Sequence, residues 1–209
     1  MGQNIKGILH AVGQSIENPV ILILIIMIAF TIVQIGVIIS EFFTERRHLK
    51  ASMPKLLDKI QKEPENIIKS IRSSHILSRQ KKVLIELLNH PDLTDDTLYA
   101  LAERLLEEES SHYNLRVKSS DIIAKLGPIL GLLGTLIPLG PGIVALSRGD
   151  VTTLSTSLSV AFDTTIAGLI CAAVAYIISI IRKGWYSNYM SVLEVLTEGV
   201  LEVAILEKK

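Results

Sequence analysis

Cysteine is almost absent from the chain: its 209 residues hold one, Cys171, inside an apolar run. A single thiol gives no disulfide framework and no cysteine pair for a metal, so Cys171 reads as a small packing residue. Aromatic residues make up only 5%, and charge of either sign is in no surplus, with 21 Lys+Arg against 21 Asp+Glu. Without a basic surplus there is no electrostatic footprint for nucleic acid. No glycine-rich phosphate loop occurs, so any work the chain performs must draw on a source other than a bound nucleotide. Its histidines, His10, His48, His75, His90 and His112, all lie outside the long apolar stretches. No serine–histidine pair can then form at membrane depth, and an enzyme is not expected. Internal repeats and low-complexity tracts are missing too.

What the chain has is apolar length. Hydrophobic residues reach 49%, and the mean hydropathy of +0.44 is high for a soluble domain. Three stretches, residues 19–39, 126–147 and 158–181, are long and apolar enough to cross a bilayer as helices. The first outruns the apolar core of a signal peptide and has no small-x-small cleavage site after it, so it is expected to remain as an anchor. The spans divide the rest into an outer segment 1–18, a cytoplasmic helical domain 40–125, a short outer loop 148–157 and a cytoplasmic C-terminal helix 182–209.

Orientation follows from basic flanks, which are retained in the cytoplasm. Arg46, Arg47 and Lys50 follow the first span, Lys118 and Lys125 precede the second, and Arg182 and Lys183 close the third. The other side carries only Lys6 and Arg148. The N-terminus is therefore expected outside and the C-terminus in the cytoplasm. In the outer segment Ile5, Ile8, Val12 and Ile16 fall at helical spacing, which leaves two readings, a helix lying on the interface or a frayed end.

The segment from Glu41 to Lys125 reads as helical, interrupted at Pro54, Pro64 and Pro91. Thr94 is placed to cap a helix whose first turn holds Asp95 and Asp96. From there Leu98, Leu101, Leu105, His112, Leu115 and Ile122 form a stripe, with no proline or glycine before the second span, predicting one continuous helix. After the third span Tyr189, Leu193, Leu196, Val200 and Val203 make an apolar face opposite Glu194, Glu198 and Glu202.

Within the second span Gly127, Gly131 and Gly134 share a helix face on which another helix can approach closely, and Thr135 adjoins it. Pro138, Gly140, Pro141 and Gly142 predict a kink or an end to the helix. On the third span Ala161, Thr164, Thr165, Gly168, Cys171, Ala172, Ala175 and Ser179 fall on one half, and Phe162, Ile166, Leu169, Ile170, Val174 and Ile177 on the other. The small half should face protein. Thr165 then either bonds back to its own helix or faces other helices and a watery path. Asp163 lies about 200° around the helix from Thr165. Two roles are open to it, ion handling or an interfacial or intersubunit bond.

Together, "GPILGLLGTLIPL" and "LSVAFDTTIAGLICAAVAYII" resemble the second and third channel-forming spans of the MotA/TolQ/ExbB proton-channel family. Gly131, Leu132, Gly134 and Thr135 match one core motif; Ala161, Thr164, Thr165, Gly168 and Leu169 match the other. The resemblance implies an all-α membrane protein with three transmembrane helices and long helical cytoplasmic extensions, of the ExbB/TolQ type. It further implies a pentameric ring around a single-span ExbD/TolR-like partner whose intramembrane aspartate carries the proton. The ring would act in the cell's cytoplasmic membrane as the ion-conducting stator of a gradient-driven motor, with no cofactor and no metal. Thr135 and Thr165 would line the ion path, with Thr164 and Asp163 beside them, while Gly127, Gly131, Gly134, Gly168 and Ala172 serve packing. The chain departs from the family in having no acidic residue before Asp163 in the third span and in its "PLGPG" end to the second. The contrasting class is an oligomeric membrane scaffold, which would need the small faces but neither Thr135 nor Thr165.

Overall fold

The computed structural model describes residues 2–44, 53–62, 66–74, 76–90 and 92–206. Arg46, Arg47, His48, Lys50, Pro64, His75 and Pro91 lie outside the described residues, as do the side chains of Ile5, Ile8 and His10. Among the described residues the helices follow in the order α1 (Gly2–Thr44), α2 (Met53–Lys62), α3 (Ile67–Ser73), α4 (Ser78–Leu88), α5 (Asp95–Ser147) and α6 (Val151–Leu206). No strand occurs among the described residues, and α1, α5 and α6 are long and apolar enough to cross a membrane. The chain forms two compact units, one of Met1–Gly36 with Lys118–Ile180, the other of Val37–Val117 with Ile181–Lys209.

The first unit is the apolar one. Within this unit the buried positions of α1 are Val20, Leu24, Met27, Thr31 and Gln34, steps of four and three that keep a single seam inward. Val20, Leu24 and Met27 pack with Ile123 of α5 and Cys171 and Ala175 of α6, so Cys171 is a core residue as expected. The intervening Leu22, Ile25, Ile26 and Ile32 are exposed, which suits hydrocarbon.

Helix α5 does not stop at the "PLGPG" stretch. It runs through Pro128, Pro138 and Pro141 to Ser147. Each proline removes one donor, a local loss that a helix inside a bundle tolerates when a neighbour packs along it. Here Gly142 supplies that packing: a methyl group on it would lie 3.0 Å from the Ser157 Cβ. The real break comes at Gly149, whose φ of +79° is open to glycine without strain. Asp150 then caps α6, accepting from the Thr153 amide at 3.0 Å and the Thr153 hydroxyl at 2.5 Å. The link between the second and third spans is thus shorter than expected, because residues 151–157 are already helical.

In the second unit α2, α3 and α4 pack with the start of α5 and the end of α6. Its main core joins Leu56, Ile60, Ile67, Ile71, Leu84, Leu87, Leu98, Leu193, Leu196 and Val200. Pro54 sits in the first turn of α2, where a missing amide costs nothing. Gln80, wholly buried on α4, donates to the Tyr189 carbonyl of α6 at 2.9 Å and accepts from the Leu77 amide at 3.3 Å. Thr94 stands just before α5, and its hydroxyl is bonded to that of Thr97 at 2.7 Å.

The stripe read along α5 needs correcting past Leu105. Leu115 and Ile122 are exposed, and the inward positions are Glu109, Tyr113 and Val117. Glu109 is admitted to the interior by Arg79, which grips it with Nε and Nη2 each 2.8 Å from a carboxylate oxygen. Tyr113 stacks on Tyr186 with ring centroids 4.6 Å apart. Beside this group Glu41 and Arg182 form an ion pair at 3.7 Å, each with only 4% of its side chain exposed. Arg182 also reaches the Arg116 carbonyl at 3.5 Å. The Tyr186 hydroxyl, buried and next to Glu41, is pushed up to about 12, with burial the larger cause and the carboxylate the second.

Candidate ion path between the second and third spans

Helices α5 and α6 run antiparallel in close register. A methyl group added at Gly127 would lie 2.6 Å from the Gly168 carbonyl oxygen; one at Gly134 would lie 2.6 Å from the Thr164 Cβ. One at Gly168 would come within 2.5 Å of the Gly127 oxygen, and Ala172 adjoins Gly127 as well. Only glycine allows this approach. The five residues expected to serve packing, Gly127, Gly131, Gly134, Gly168 and Ala172, therefore all lie in one contact inside the chain. The small faces close on each other within one chain.

The threonines sit at the edge of this seam. Thr165, partly buried, donates its hydroxyl to the Gly131 carbonyl at 3.2 Å. In an α-helix that carbonyl also accepts the amide four residues on, which is the amide of Thr135. One oxygen thus ties Thr165 to the turn of Thr135. Thr135, also partly buried, donates its own hydroxyl to the Leu132 carbonyl at 2.6 Å. Thr164 is buried and bonded back within α6, to Val160 at 2.9 Å and Ala161 at 3.0 Å.

These bonds fix the chemistry on offer. A hydroxyl whose proton is committed to a backbone carbonyl presents its oxygen as an acceptor. Thr135 and Thr165 can each receive a hydrogen bond from water or from a protonated carboxyl without holding a fixed charge in low dielectric. Asp163 is placed differently. It is exposed, on the half of α6 that carries Phe162, Ile166, Leu169 and Ile170, away from the small seam.

The structure adds polar residues at the other end of the same unit. Gln34 of α1 accepts from the Ser120 hydroxyl at 2.5 Å, and its amide reaches the Ser119 oxygen at 3.4 Å. Next to them, buried Ser179 of α6 donates to the Asp121 carboxylate of α5. In the sequence Asp121 falls within the helical segment 40–125 and Gln34 within the first span, 19–39. The available signal was the seam itself, since Gln34 continues the steps from Val20 and Ser120 lies one inward step from Ile123 and two from Gly127.

Three apolar helices, a glycine-closed antiparallel pair and hydroxyls along its edge define a multi-pass helical membrane protein of the channel type. The model of the MotA/TolQ/ExbB proton channel family matches residues 46–194, most of the chain, and the chain belongs to that family. No curated protein matches it. Membership carries, in general terms, the proton-channel role of a membrane-motor stator, and the family is one of channels and not of enzymes.

Proposed function

We propose that the chain is the ion-conducting subunit of a gradient-driven stator. It assembles as a pentamer around a single-span ExbD/TolR-like partner and turns proton flux into mechanical work on it. The observation that carries this reading is the Thr165–Gly131 bond, which gathers the two motif threonines into one acceptor rung at the edge of the seam. A partner's carboxylic acid passing this rung finds two neutral oxygens to share its proton with. Thr164, bonded inside α6, supports the helix next to the rung. Asp163, on the outward half, serves an interfacial or intersubunit bond.

Assembly on this reading uses the bulky outward faces, since Phe162, Ile166, Leu169 and Ile170 remain exposed after the small faces have closed. The basic flanks support an N-out, C-in orientation in the cytoplasmic membrane. The scaffold reading has one observation in its favour: Thr135 and Thr164 both bond to their own helix, as packing threonines do.

The test is proton flux into liposomes holding the complex of the full chain and its copurifying single-span subunit. Flux driven by an imposed potential, with a pentamer by native mass spectrometry, is expected. A complex without flux, or a stable monomer or dimer, overturns the proposal.

A further inference from the structure

The Asp121–Ser179 contact joins α5 and α6 at a second depth, in the register that also sets Thr135 against Thr165. Asp121 precedes Thr135 on α5 by 14 residues, and Ser179 follows Thr165 on α6 by 14. On an α-helix that separation is about 21 Å and leaves the two positions within about 40° of one face. Because α5 and α6 are antiparallel, the same step along each helix leads from one rung to the other.

Acidic side chains in this unit are few. Among its described residues they are Glu17, Asp121, Asp150 and Asp163. Glu17 precedes the α1 seam at the end opposite Gln34, Asp150 caps α6 in the outer turn, and Asp163 lies on the outward half. Asp121 alone shares the α5 face of Thr135. It is half-buried and held by the Ser179 hydroxyl, and the adjacent Ser119 and Ser120 are tied to Gln34 of α1. Three helices thereby fix the backbone that carries this carboxylate.

We propose that Asp121 is the proton acceptor at the cytoplasmic end of the ion path, with Ser179 as its positioning residue. The proposal rests on the channel reading above and adds a residue to it. A proton arriving from the rung as hydronium adds to the carboxylate, giving the carboxylic acid and water. Loss of that proton to cytoplasmic water restores the carboxylate, while Ser179 keeps its own proton and donates throughout. A hydroxyl bond to the ionised form keeps the group ready to accept again.

The experiment compares proton flux of the full complex in liposomes for wild type, Asp121→Asn and Asp121→Glu, with oligomeric state measured on the same samples. Asp121→Asn is expected to lower flux by about a hundredfold in an intact assembly, and Asp121→Glu to recover most of it. Wild-type flux in Asp121→Asn overturns the proposal; if Thr165→Val is silent in the same assay, the channel reading survives and only Asp121 is lost. A wild-type complex that carries no flux overturns both. Should Asp121→Asn fail to assemble, Asp121→Cys in a Cys171→Ser background is modified after assembly with a carboxylate-bearing or a neutral thiosulfonate. Greater flux with the carboxylate reagent is expected, and equal flux overturns the assignment.

Discussion

The Thr165 hydroxyl lies 3.2 Å from the Gly131 carbonyl oxygen, on the neighbouring helix and one turn below Thr135. This bond needs the backbones of α5 and α6 close together, which the absence of a side chain at Gly131 allows: a methyl group there would stand 3.3 Å from the Thr165 Cα. Packing and chemistry are thus joined at one position, the glycine giving the approach and the threonine using it.

Gly168→Leu should act on the fold of a single chain before it acts on any assembly. Even a methyl group at this position meets the Gly127 carbonyl oxygen at 2.5 Å, and backbone cannot swing aside as a side chain can. Overpacking of this kind costs about 1–3 kcal/mol or more. Gly168→Ala is expected to lower the thermal midpoint in detergent by several degrees and Gly168→Leu to abolish folded yield. Normal midpoints for both would show that the seam is looser than described.

Glu41 and Arg182 make a buried pair, so removing one side chain takes the opposite charge away from the other in the interior. Glu41→Leu or Arg182→Met should each cost about 3–5 kcal/mol, whereas the two changes combined should recover most of that. Denaturation midpoints of the four proteins form the cycle that checks it. Additive losses would mean that the two side chains do not interact.

Tyr186 predicts a pH dependence on the alkaline side. Its folded value of about 12 stands above the ordinary 10, so its contribution is complete below pH 10 and is lost as pH rises through 12. The unfolded chain ionises first and is favoured across that window. The loss is about 2 kcal/mol, and Tyr186→Phe should remove it from the stability profile measured between pH 9 and 12. Identical slopes for the two proteins would contradict the buried placement.

Asp163→Asn should leave proton flux within about twofold of wild type, because the side chain faces away from the acceptor rung. Its effect should fall on assembly or on interfacial anchoring. A silent channel in an intact oligomer would return Asp163 to the ion path.

Much of this was legible in the sequence, for reasons that differ by region. The halves of α6 follow from turning 100° per residue, because most small side chains between Ala161 and Ser179 fall on the buried half and most bulky ones on the exposed half. The α5 stripe was legible only to Leu105. Beyond it hydrophobicity favours Leu115, yet Arg79 and Tyr186 make Glu109 and Tyr113 the better residues to bury, and those partners are distant in sequence. Glu41 was hidden for the same reason, since only the fold brings Arg182 to it. At "PLGPG" the end that local propensity allows does not occur, because tertiary packing at Gly142 lets α5 run on to Ser147.

The central claim is that the Thr165 and Thr135 hydroxyls serve the ion path while the glycines beside them serve packing. Threonine and valine have nearly the same shape, so valine tests the hydroxyl while keeping the volume. Proton flux through liposomes containing the full complex is the direct measurement, with oligomeric state read on the same preparation. Thr165→Val and Thr135→Val are each predicted to cut flux by about tenfold or more in an assembly that stays intact. Wild-type flux from both valine variants would contradict the account and leave the chain a scaffold.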